Sequence, residues 1–326
     1  MASSDRRTAP RILFTSLSRK VSLFQAVLAQ ARDYHPEAEL IGGDSDPACP
    51  GRAEGMEFIE TPPLENLSHE EFANFCRDNA ITRLIPTRDG ELRFFAEARP
   101  ALLEADVIPM VSPAATIETC LDKLLFAETA AELGFSAIPT VLDVSKLDAP
   151  RVTVKERVGA GSLDLHLDLS HEEASERAKE LQNPIFQPHV MGRELSADLY
   201  LDQTDRSRGI VLRWRDLVEG GESKVTTTFR KVDWEDDLGE LAARIGLRGH
   251  GLIQAIADKK GRLHLLEINA RLGGATPLAF ACGLRSIEWF LREAEGETLD
   301  ETAPFDYPAG KRLTRDHQGH DQITEI

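Results

Sequence analysis

Short apolar segments alternate with segments of helical periodicity over the first part of the chain, and this alternation restricts the fold more than any other feature. Residues 21–32, for example, repeat apolar side chains every three or four positions. In a strand–helix–strand unit the helix carries the chain back, so that the two strands run in the same direction. The pattern therefore predicts a parallel sheet in an α/β domain over residues 1–115. The segments expected to form its strands are 11–16, 38–42, 83–86 and 107–111.

The turn after the first predicted strand carries no dinucleotide-binding signature. It reads Thr15-Ser-Leu-Ser-Arg19, whereas a dinucleotide site needs closely spaced glycines at this point. The N-terminal domain is therefore expected to be Rossmann-like in topology without binding NAD.

The pattern changes from residue 151 onwards to a compact α+β arrangement. A glycine-rich loop, a helix opened by the capping sequence S-H-E-E and a series of antiparallel strands follow one another. We therefore expect a second domain over 116–300. Residues 301–326 are polar and mostly lack periodicity, so we expect a mobile tail there. A helix with its own capping sequence, S-H-E-E, is also expected from residue 68 to about 79, and another over 94–103.

Charge and composition exclude several classes of function. A net charge of −17 would repel the phosphates of a nucleic acid. No apolar stretch reaches the ~20 residues of a membrane span, and no apolar signal segment is present, so we expect a cytoplasmic protein without a membrane partner. The four cysteines lack metal-binding spacing, and Cys282 is expected to be a packed residue rather than a nucleophile. An acidic chain that binds an anion must concentrate its cations in one cleft.

Two apolar strands joined by the turn D-K-K-G-R carry a possible metal site. We expect Asp258 to oppose Leu263, which places Gln254 opposite Glu267. Asn269 lies two residues beyond Glu267 and shares its face. One carboxylate and two amide oxygens suit Mg²⁺, whereas the alternative is a hydrogen-bonded polar patch on a solvent-facing sheet.

Basic and glycine-rich positions provide a candidate phosphate site. Lys155 ends a predicted strand and is followed by the small-residue loop Gly159-Ala-Gly161-Ser162, whose backbone N–H groups can bind phosphate. Lys123 begins a helix, an end that cations usually avoid. The alternatives are a plain hairpin tip and a surface lysine.

An extended segment, Gln187-Pro188-His189-Val190, can offer backbone groups to the edge of a nucleotide base. Glu194 in the following strand can accept hydrogen bonds from ribose hydroxyls. A strand–turn–strand unit with Glu194 paired to a neighbouring cation is the alternative.

In this order, these features resemble the ATP-grasp superfamily, and within it the synthetase domains of the carbamoyl phosphate synthetase large subunit. The resemblance runs from about residue 11 to 296 and is strongest in the stretches L-I-Q-A-I and L-E-I-N-A-R. It implies an N-terminal pre-ATP-grasp domain followed by an ATP-grasp fold with a mobile lid subdomain at about 150–186. The resemblance implies that Mg²⁺ is bound by Gln254, Glu267 and Asn269, and that the phosphates are contacted by Lys123, Lys155 and the catalytic Arg271. It also implies a lid at Gly159, Gly161 and Ser162. The nucleotide would be bound by an adenine hinge at Gln187, Pro188, His189 and Val190, by Glu194 at the ribose and by Leu266 at the adenine.

The function implied by the resemblance is an ATP- and Mg²⁺-dependent ligase, with Mn²⁺ as a possible substitute. It would convert a small carboxylate into an acyl phosphate and join it to an amine such as an amino acid, as a homodimer. Arg215, Arg213 and Lys224, on the strands beside the Gly220-Gly221 turn, are candidates for gripping the acyl phosphate or the substrate carboxylate, and the alternative is that they are solvated strand charges. Carbamoyl phosphate synthetase needs two such halves, and this chain has one. The alternatives are a carboxyphosphate-using or carbamoyl-phosphate-synthase-like subunit and a catalytically silent nucleotide-binding subunit. Arg88 and Glu91 are weaker candidates for binding the second substrate.

Overall fold

A computed structural model describes residues 9–53, 55–159, 165–299, 305–317 and 319–326 of the chain. The chain divides into two compact units. The first contains Met1–Val111 and Arg285–Asp300, and the second contains Ser112–Leu284 and Glu301–Ile326. The last helix of the predicted second domain therefore packs with the N-terminal unit, which differs from the boundaries expected from the sequence.

The first unit is built on a five-stranded sheet in the order β3-β2-β1-β4-β5, and every neighbouring pair is parallel. The parallel sheet predicted from the alternation is confirmed. Its central strand is buried at Ile12, Leu13 and Phe14, as expected for a parallel strand covered on both faces. The strands are β1 (Arg11–Phe14), β2 (Glu39–Asp44), β3 (Phe58–Glu60), β4 (Arg83–Ile85) and β5 (Ile108–Pro109).

Helices of the first unit follow local signals closely. Ser68 and Glu71 form the predicted capping box at the start of α2. The single helix predicted over 94–103 is instead two helices that meet at Ala98, because Pro100 in the first turn of the second lacks an N–H group. The helices are α1 (Val21–Tyr34), α2 (His69–Asp78), α3 (Asp89–Glu97) and α4 (Arg99–Glu104), and α10 (Ser286–Ala294) joins them from the far end of the chain.

The second unit has a seven-stranded sheet in the order β13-β12-β9-β10-β11-β14-β15, paired antiparallel throughout. Its helices among the described residues are α5 (Ala114–Leu121), α6 (Lys123–Glu132), α7 (His171–Ala178), α8 (Val232–Ile245) and α9 (Thr276–Ala281). Its strands are β9 (Gly192–Leu201), β10 (Ser207–Glu219), β11 (Glu222–Phe229), β12 (Gly249–Asp258), β13 (Leu263–Asn269), β14 (Lys311–Arg315) and β15 (Asp321–Glu325).

A separate three-stranded sheet occupies the region predicted to be a lid. Its order is β7-β6-β8, with α7 packed on it, and Ser170 caps α7 as the sequence predicted. Val152, Val154 and Phe186 form its small core with Ala174 of the helix. The strands are β6 (Val152–Glu156), β7 (His166–Leu169) and β8 (Pro184–Pro188).

Residues 305–317 and 319–326, which the sequence assigned to a polar tail, contain two strands of the large sheet. Strand β14 pairs with β11, placing Thr314 opposite Val225, and β15 completes the sheet. The tail contributes few apolar residues to the core, chiefly Tyr307 and Leu313, so it lacks a periodic signal. Its strands form because a sheet edge is available to pair with. No helix within the described residues is both long and apolar enough to cross a bilayer.

Candidate nucleotide and metal site

The register of β12 and β13 pairs Gln254 with Glu267 and Leu252 with Asn269, as predicted. The expectation that Asp258 opposes Leu263 was wrong, because Ala257 takes that position. The register shifts by one residue between the Ala255–Leu265 and Gln254–Glu267 pairs, so Leu266 forms a β-bulge. The observed pairing at the turn differs from the expected pairing by one residue, and the bulge shifts the register by the same amount. Gln254 and Glu267 therefore still lie opposite each other.

The polar face of the large sheet continues across its central strands. Ser196 on β9 lies between Gln254 of β12 and Arg213 of β10, so the three side chains form one row. Glu194 and Arg215 lie two residues along their strands from Ser196 and Arg213 and thus project from the same face. One face of the sheet therefore carries positively and negatively charged side chains and an amide near its centre.

The loop that follows β13 begins with linked polar side chains. Asn269 Nδ2 donates to Glu267 Oε1 over 3.3 Å, and Arg271 Nη2 donates to Asn269 Oδ1 over 3.2 Å. Arg271 Nη1 also donates to the carbonyl of Leu272. Glu267, Asn269 and Arg271, which the sequence assigned to metal and phosphate, are therefore in contact in this structure.

Lys123 reaches the same carboxylate from the start of α6. Its Nζ lies 3.9 Å from Glu267 Oε2 and donates a 2.7 Å hydrogen bond to the carbonyl of Gly159. Asp122 caps the helix by accepting from the N–H groups of Leu124 and Leu125, which fixes the first turn. The lysine side chain is only 10% exposed, so it is directed into the site rather than into solvent.

Lys155 is the last residue but one of β6 and is buried beside the same groups. Burial lowers the pKa of its ammonium to about 8, an effect that Lys123 reinforces and that Glu267 and Glu194 oppose. Two lysines from different elements therefore converge on Glu267.

Arg215 is held by several partners at once. Its Nη1 donates to Gln254 Oε1 over 2.6 Å and to Glu194 Oε2 over 3.1 Å. Its Nε donates to Ser223 Oγ, and its Nη2 donates to the carbonyl of Gly221. Arg215 thus lies in the site, while Glu194 has the cation partner that the alternative interpretation anticipated.

Arg213 lies in the core, which argues against direct contact with a substrate. It is 2% exposed, and its Nε donates to Asp198 Oδ2 over 2.8 Å. Asp198 also accepts from Thr276, and this arginine keeps the pKa of the aspartate well below its ordinary value despite burial. Lys224, the third candidate, pairs with Glu222. Sequence reasoning did not identify Asp198, whose position in an apolar strand is its only signal.

The predicted adenine hinge lies at the end of β8. Gln187 is buried, and its Nε2 donates to Thr140 Oγ1 over 2.8 Å. Pro188 has no N–H, and the N–H of His189 donates to the carbonyl of Arg151. The N–H of Val190 is therefore the remaining candidate donor to a base.

Of the predicted lid residues the structure describes Gly159 alone, and the weaker candidates Arg88 and Glu91 belong to the first unit. Gly159 is described and has a φ of +150°, whereas Gly161 and Ser162 lie outside the described residues. In the first unit, Glu91 accepts from Thr15, Ser16 and the N–H of Thr87, so its carboxylate stabilises the chain itself. Arg88 is exposed.

The donor set fits a magnesium–nucleotide pair with one departure. Glu267 and Asn269 present oxygens of the kind that Mg²⁺ binds, and Lys123 and Lys155 supply charge for phosphates. The amide oxygens of Gln254 and Asn269 already accept from the guanidinium groups of Arg215 and Arg271, over 2.6 and 3.2 Å. All four cysteines are free and buried, and burial raises the pKa of Cys282 to about 11, so a thiolate nucleophile is disfavoured.

Three solved structures have a similar fold over almost the whole of this chain. One is N5-carboxyaminoimidazole synthetase of Staphylococcus aureus with ADP (TM-score 0.72, 14% identity, 94% of this chain and 82% of that chain). Another is the biotin carboxylase domain of Hydrogenobacter thermophilus 2-oxoglutarate carboxylase with MgADP and bicarbonate (TM-score 0.71, 16% identity, 93% of this chain and 73% of that chain). The third is an L-amino acid ligase of Bacillus licheniformis (TM-score 0.69, 14% identity, 93% of this chain and 78% of that chain). The chain therefore has the ATP-grasp fold that the resemblance implied.

Sequence similarity points the same way. Residues 180–314 match the family described as ATPgrasp_Ter, ATP-grasp in the biosynthetic pathway with Ter operon. A curated relative, the 2-oxoglutarate carboxylase small subunit of Hydrogenobacter thermophilus, is 30% identical over 123 residues. That match covers 37% of this chain and 26% of the relative, so it spans about a quarter of the relative's length.

Proposed function

We propose that the chain is a Mg²⁺- and ATP-dependent ligase that phosphorylates a carboxylate and transfers the resulting acyl group to an amine. The convergence of Lys123 and Lys155 on Glu267 is the observation that carries this proposal, because it places cations beside a metal-binding carboxylate. Phosphoryl transfer depends mainly on such positioning and charge neutralisation. The similar fold of an L-amino acid ligase supports the amide-forming reaction.

In this proposal each group in the site has a defined task. Lys123, Lys155 and Arg271 bind the phosphates, while Glu267 and Asn269 hold Mg²⁺ or Mn²⁺. The metal, when bound, would neutralise charge on the phosphate oxygens. The adenine lies against Leu266 and the hinge, where Val190 donates to the base, and Glu194 binds the ribose.

Arg215 has a separate task. Its hydrogen bonds to Glu194 and Gln254 fix its position at the edge of the site. We assign to it the contact with the acyl phosphate, which requires it to exchange one of these partners for substrate. Exclusion of water during the reaction is assigned to the small three-stranded sheet and the loop after Gly159.

The test is acceptor-dependent release of ADP. Purified protein is incubated with Mg·ATP and with pools of carboxylic acids and amines, and the products are analysed by mass spectrometry. We expect ADP release only when both pools are present, with a product mass equal to acid plus amine minus water. Glu267→Gln should abolish the signal, whereas Glu176→Gln on the exposed face of α7 should not. ADP release without an amine product would contradict the proposal.

A carboxyphosphate-forming reaction is the second candidate, favoured by the similarity to the biotin carboxylase domain with bicarbonate. ADP release stimulated by bicarbonate alone would support it. The absence of any acceptor effect, together with tight Mg·ADP binding, would instead identify a silent nucleotide-binding subunit. That similar structure is a dimer, so we also propose a homodimer, which light scattering of the purified protein tests.

A further inference from the structure

The loop Arg271–Gly274, which follows β13, is anchored at its base in the protein core. The N–H of Gly273 donates to Thr276 Oγ1 over 2.8 Å, and that hydroxyl donates to Asp198 Oδ1 over 2.5 Å. Thr276 and Asp198 are both fully buried, and Asp198 also binds Arg213. A chain of buried hydrogen bonds therefore fixes the position of Gly273.

The next residue of this loop is contacted by the C-terminal hairpin. Arg315 Nη2, from β14, donates to the carbonyl of Gly274 over 2.5 Å. The same guanidinium binds Asp321 of β15 through Nε and Nη2, at 2.7 and 2.8 Å. The side chains of Arg315 and Asp321 are 10% and 6% exposed, so this ion pair is largely shielded from solvent. Two parallel hydrogen bonds to one carboxylate fix the orientation of the guanidinium.

The sequence on both sides of this contact permits the close approach. A Cβ at residue 274 would lie 3.1 Å from Arg315 Nη1, so glycine there leaves room for the guanidinium. Leu313, two residues before Arg315, is fully buried and packs with Ala275 and Leu278. Strand β14 is therefore packed against the segment that follows the loop, and Arg315 reaches the loop from a fixed base.

We propose that Arg315 is a positioning residue, which holds the loop Arg271–Gly274 so that Arg271 is presented correctly to the phosphates. The consequence for catalysis rests on the proposed function, since Arg271 has its phosphate role only there. The mechanical part of the proposal, that Arg315 holds the loop in place, does not rest on the proposed function, because it depends only on the contact at Gly274. The C-terminal hairpin thereby becomes a working part of the nucleotide site.

Hydrogen exchange of the unliganded protein tests the mechanical part. Arg315→Gln and Asp321→Asn should each speed amide exchange in peptides covering 271–275 by about tenfold, without changing β9 or β12. Arg312→Gln is the matched control, since Arg312 is on the same strand but donates to Thr227 Oγ1. Unchanged exchange in 271–275, or equal acceleration in Arg312→Gln, would overturn the proposal.

Kinetics test the catalytic part. A loop displaced by about 1 Å can cost roughly 100-fold in rate, so Arg315→Gln should lower kcat by about 10- to 100-fold. The KM for ATP should change less than about threefold, because Lys123 and Lys155 still bind the nucleotide. Guanidinium chloride should partly restore kcat in Arg315→Ala but not in Arg312→Ala. A normal kcat in a variant with an accelerated loop would overturn the role of Arg315, whereas failure of the ligase proposal would appear as no acceptor-dependent reaction in the wild type.

Discussion

Arg215 donates a 2.6 Å hydrogen bond to the side-chain oxygen of Gln254. The three oxygen donors assigned to a metal differ in the partners that they already have. Glu267 accepts from Asn269 and lies next to Lys123, whereas the amide oxygens of Gln254 and Asn269 each accept from a guanidinium, over 2.6 Å from Arg215 and 3.2 Å from Arg271. The contact of Gln254 is the shorter one, and the Arg215 charge would repel a divalent cation there, so Gln254 is better placed to orient Arg215 than to bind a metal.

Metal affinity should therefore distinguish Glu267 from Gln254. Glu267→Gln should weaken Mg·ADP binding by more than about 10-fold, the effect that loss of even an outer-shell partner can produce. Gln254→Leu should weaken it less than about threefold. Calorimetric titrations at several Mg²⁺ concentrations measure both, and an equal loss in the two variants would restore Gln254 as a ligand.

The buried Lys155 makes nucleotide binding depend on pH. Burial lowers its pKa to about 8, so the ammonium loses its proton as the pH rises through that value. We expect constant Mg·ADP affinity below about pH 8 and a fall approaching tenfold per pH unit above it. Lys155→Arg should remove this dependence because a guanidinium stays charged. A wild-type affinity that is flat up to pH 10 would contradict the assignment.

The same group affects stability with the opposite sign. Between about pH 8 and the ordinary lysine pKa of 10.5, Lys155 is protonated in the unfolded chain and neutral in the fold. The unfolded state then binds more protons, so the free energy of unfolding rises with pH across this window, by on the order of 3 kcal/mol. Lys155→Met should lack this rise. Urea denaturation at pH 7.5 and pH 10 compares the two proteins.

The buried Asp198–Arg213 pair should dominate the stability of the second unit. Asp198→Ala leaves a buried guanidinium without its carboxylate, and we expect a loss of roughly 3–5 kcal/mol in the free energy of unfolding. Replacing the pair with Leu and Met should recover much of that loss. Glu176→Ala, which breaks an exposed pair with Lys179, should cost less than about 1 kcal/mol. Urea titrations would contradict this account if both single variants were equally stable.

Tyr307 should couple the C-terminal segment to the large sheet. Its hydroxyl accepts from the N–H of Leu212 and lies within hydrogen-bonding distance of Glu235 and the carbonyl of Phe229. Tyr307→Phe leaves the buried Leu212 N–H without this acceptor, and we expect a loss of about 1–3 kcal/mol. Thermal unfolding measures it, with Phe305→Leu as a control for lost ring packing alone.

Local signals in the sequence were sufficient for many elements. The capping serines at 68 and 170 began helices where predicted, because a hydroxyl and a glutamate three residues later satisfy the first amides without outside help. The alternation of strands and helices predicted the parallel sheet for a similar reason. The pairing of Gln254 with Glu267 was also predicted, although the bulge at Leu266 was needed to produce it.

Arg213 and Arg215 show where such signals end. Both project from the same face of β10 and looked equally suited to bind a substrate. Only Arg213 is covered in the core beside Thr276 and Asp198, whereas Arg215 lies with Gln254 in the site. The sequence of β10 cannot distinguish the two, because the covering residues come from other parts of the chain.

The sequence by itself determined the alternation of strands and helices in the N-terminal part, the capped helix starts and the types of residue expected at a metal and phosphate site. These depend on groups only a few residues apart, or on chemistry that each side chain has alone. The tertiary structure decided that β14 and β15 extend the large sheet, that Arg315 reaches Gly274, and that two lysines meet at Glu267. Each of these joins segments far apart in the chain, where the free energy of burial and hydrogen bonding exists only once both segments are in place.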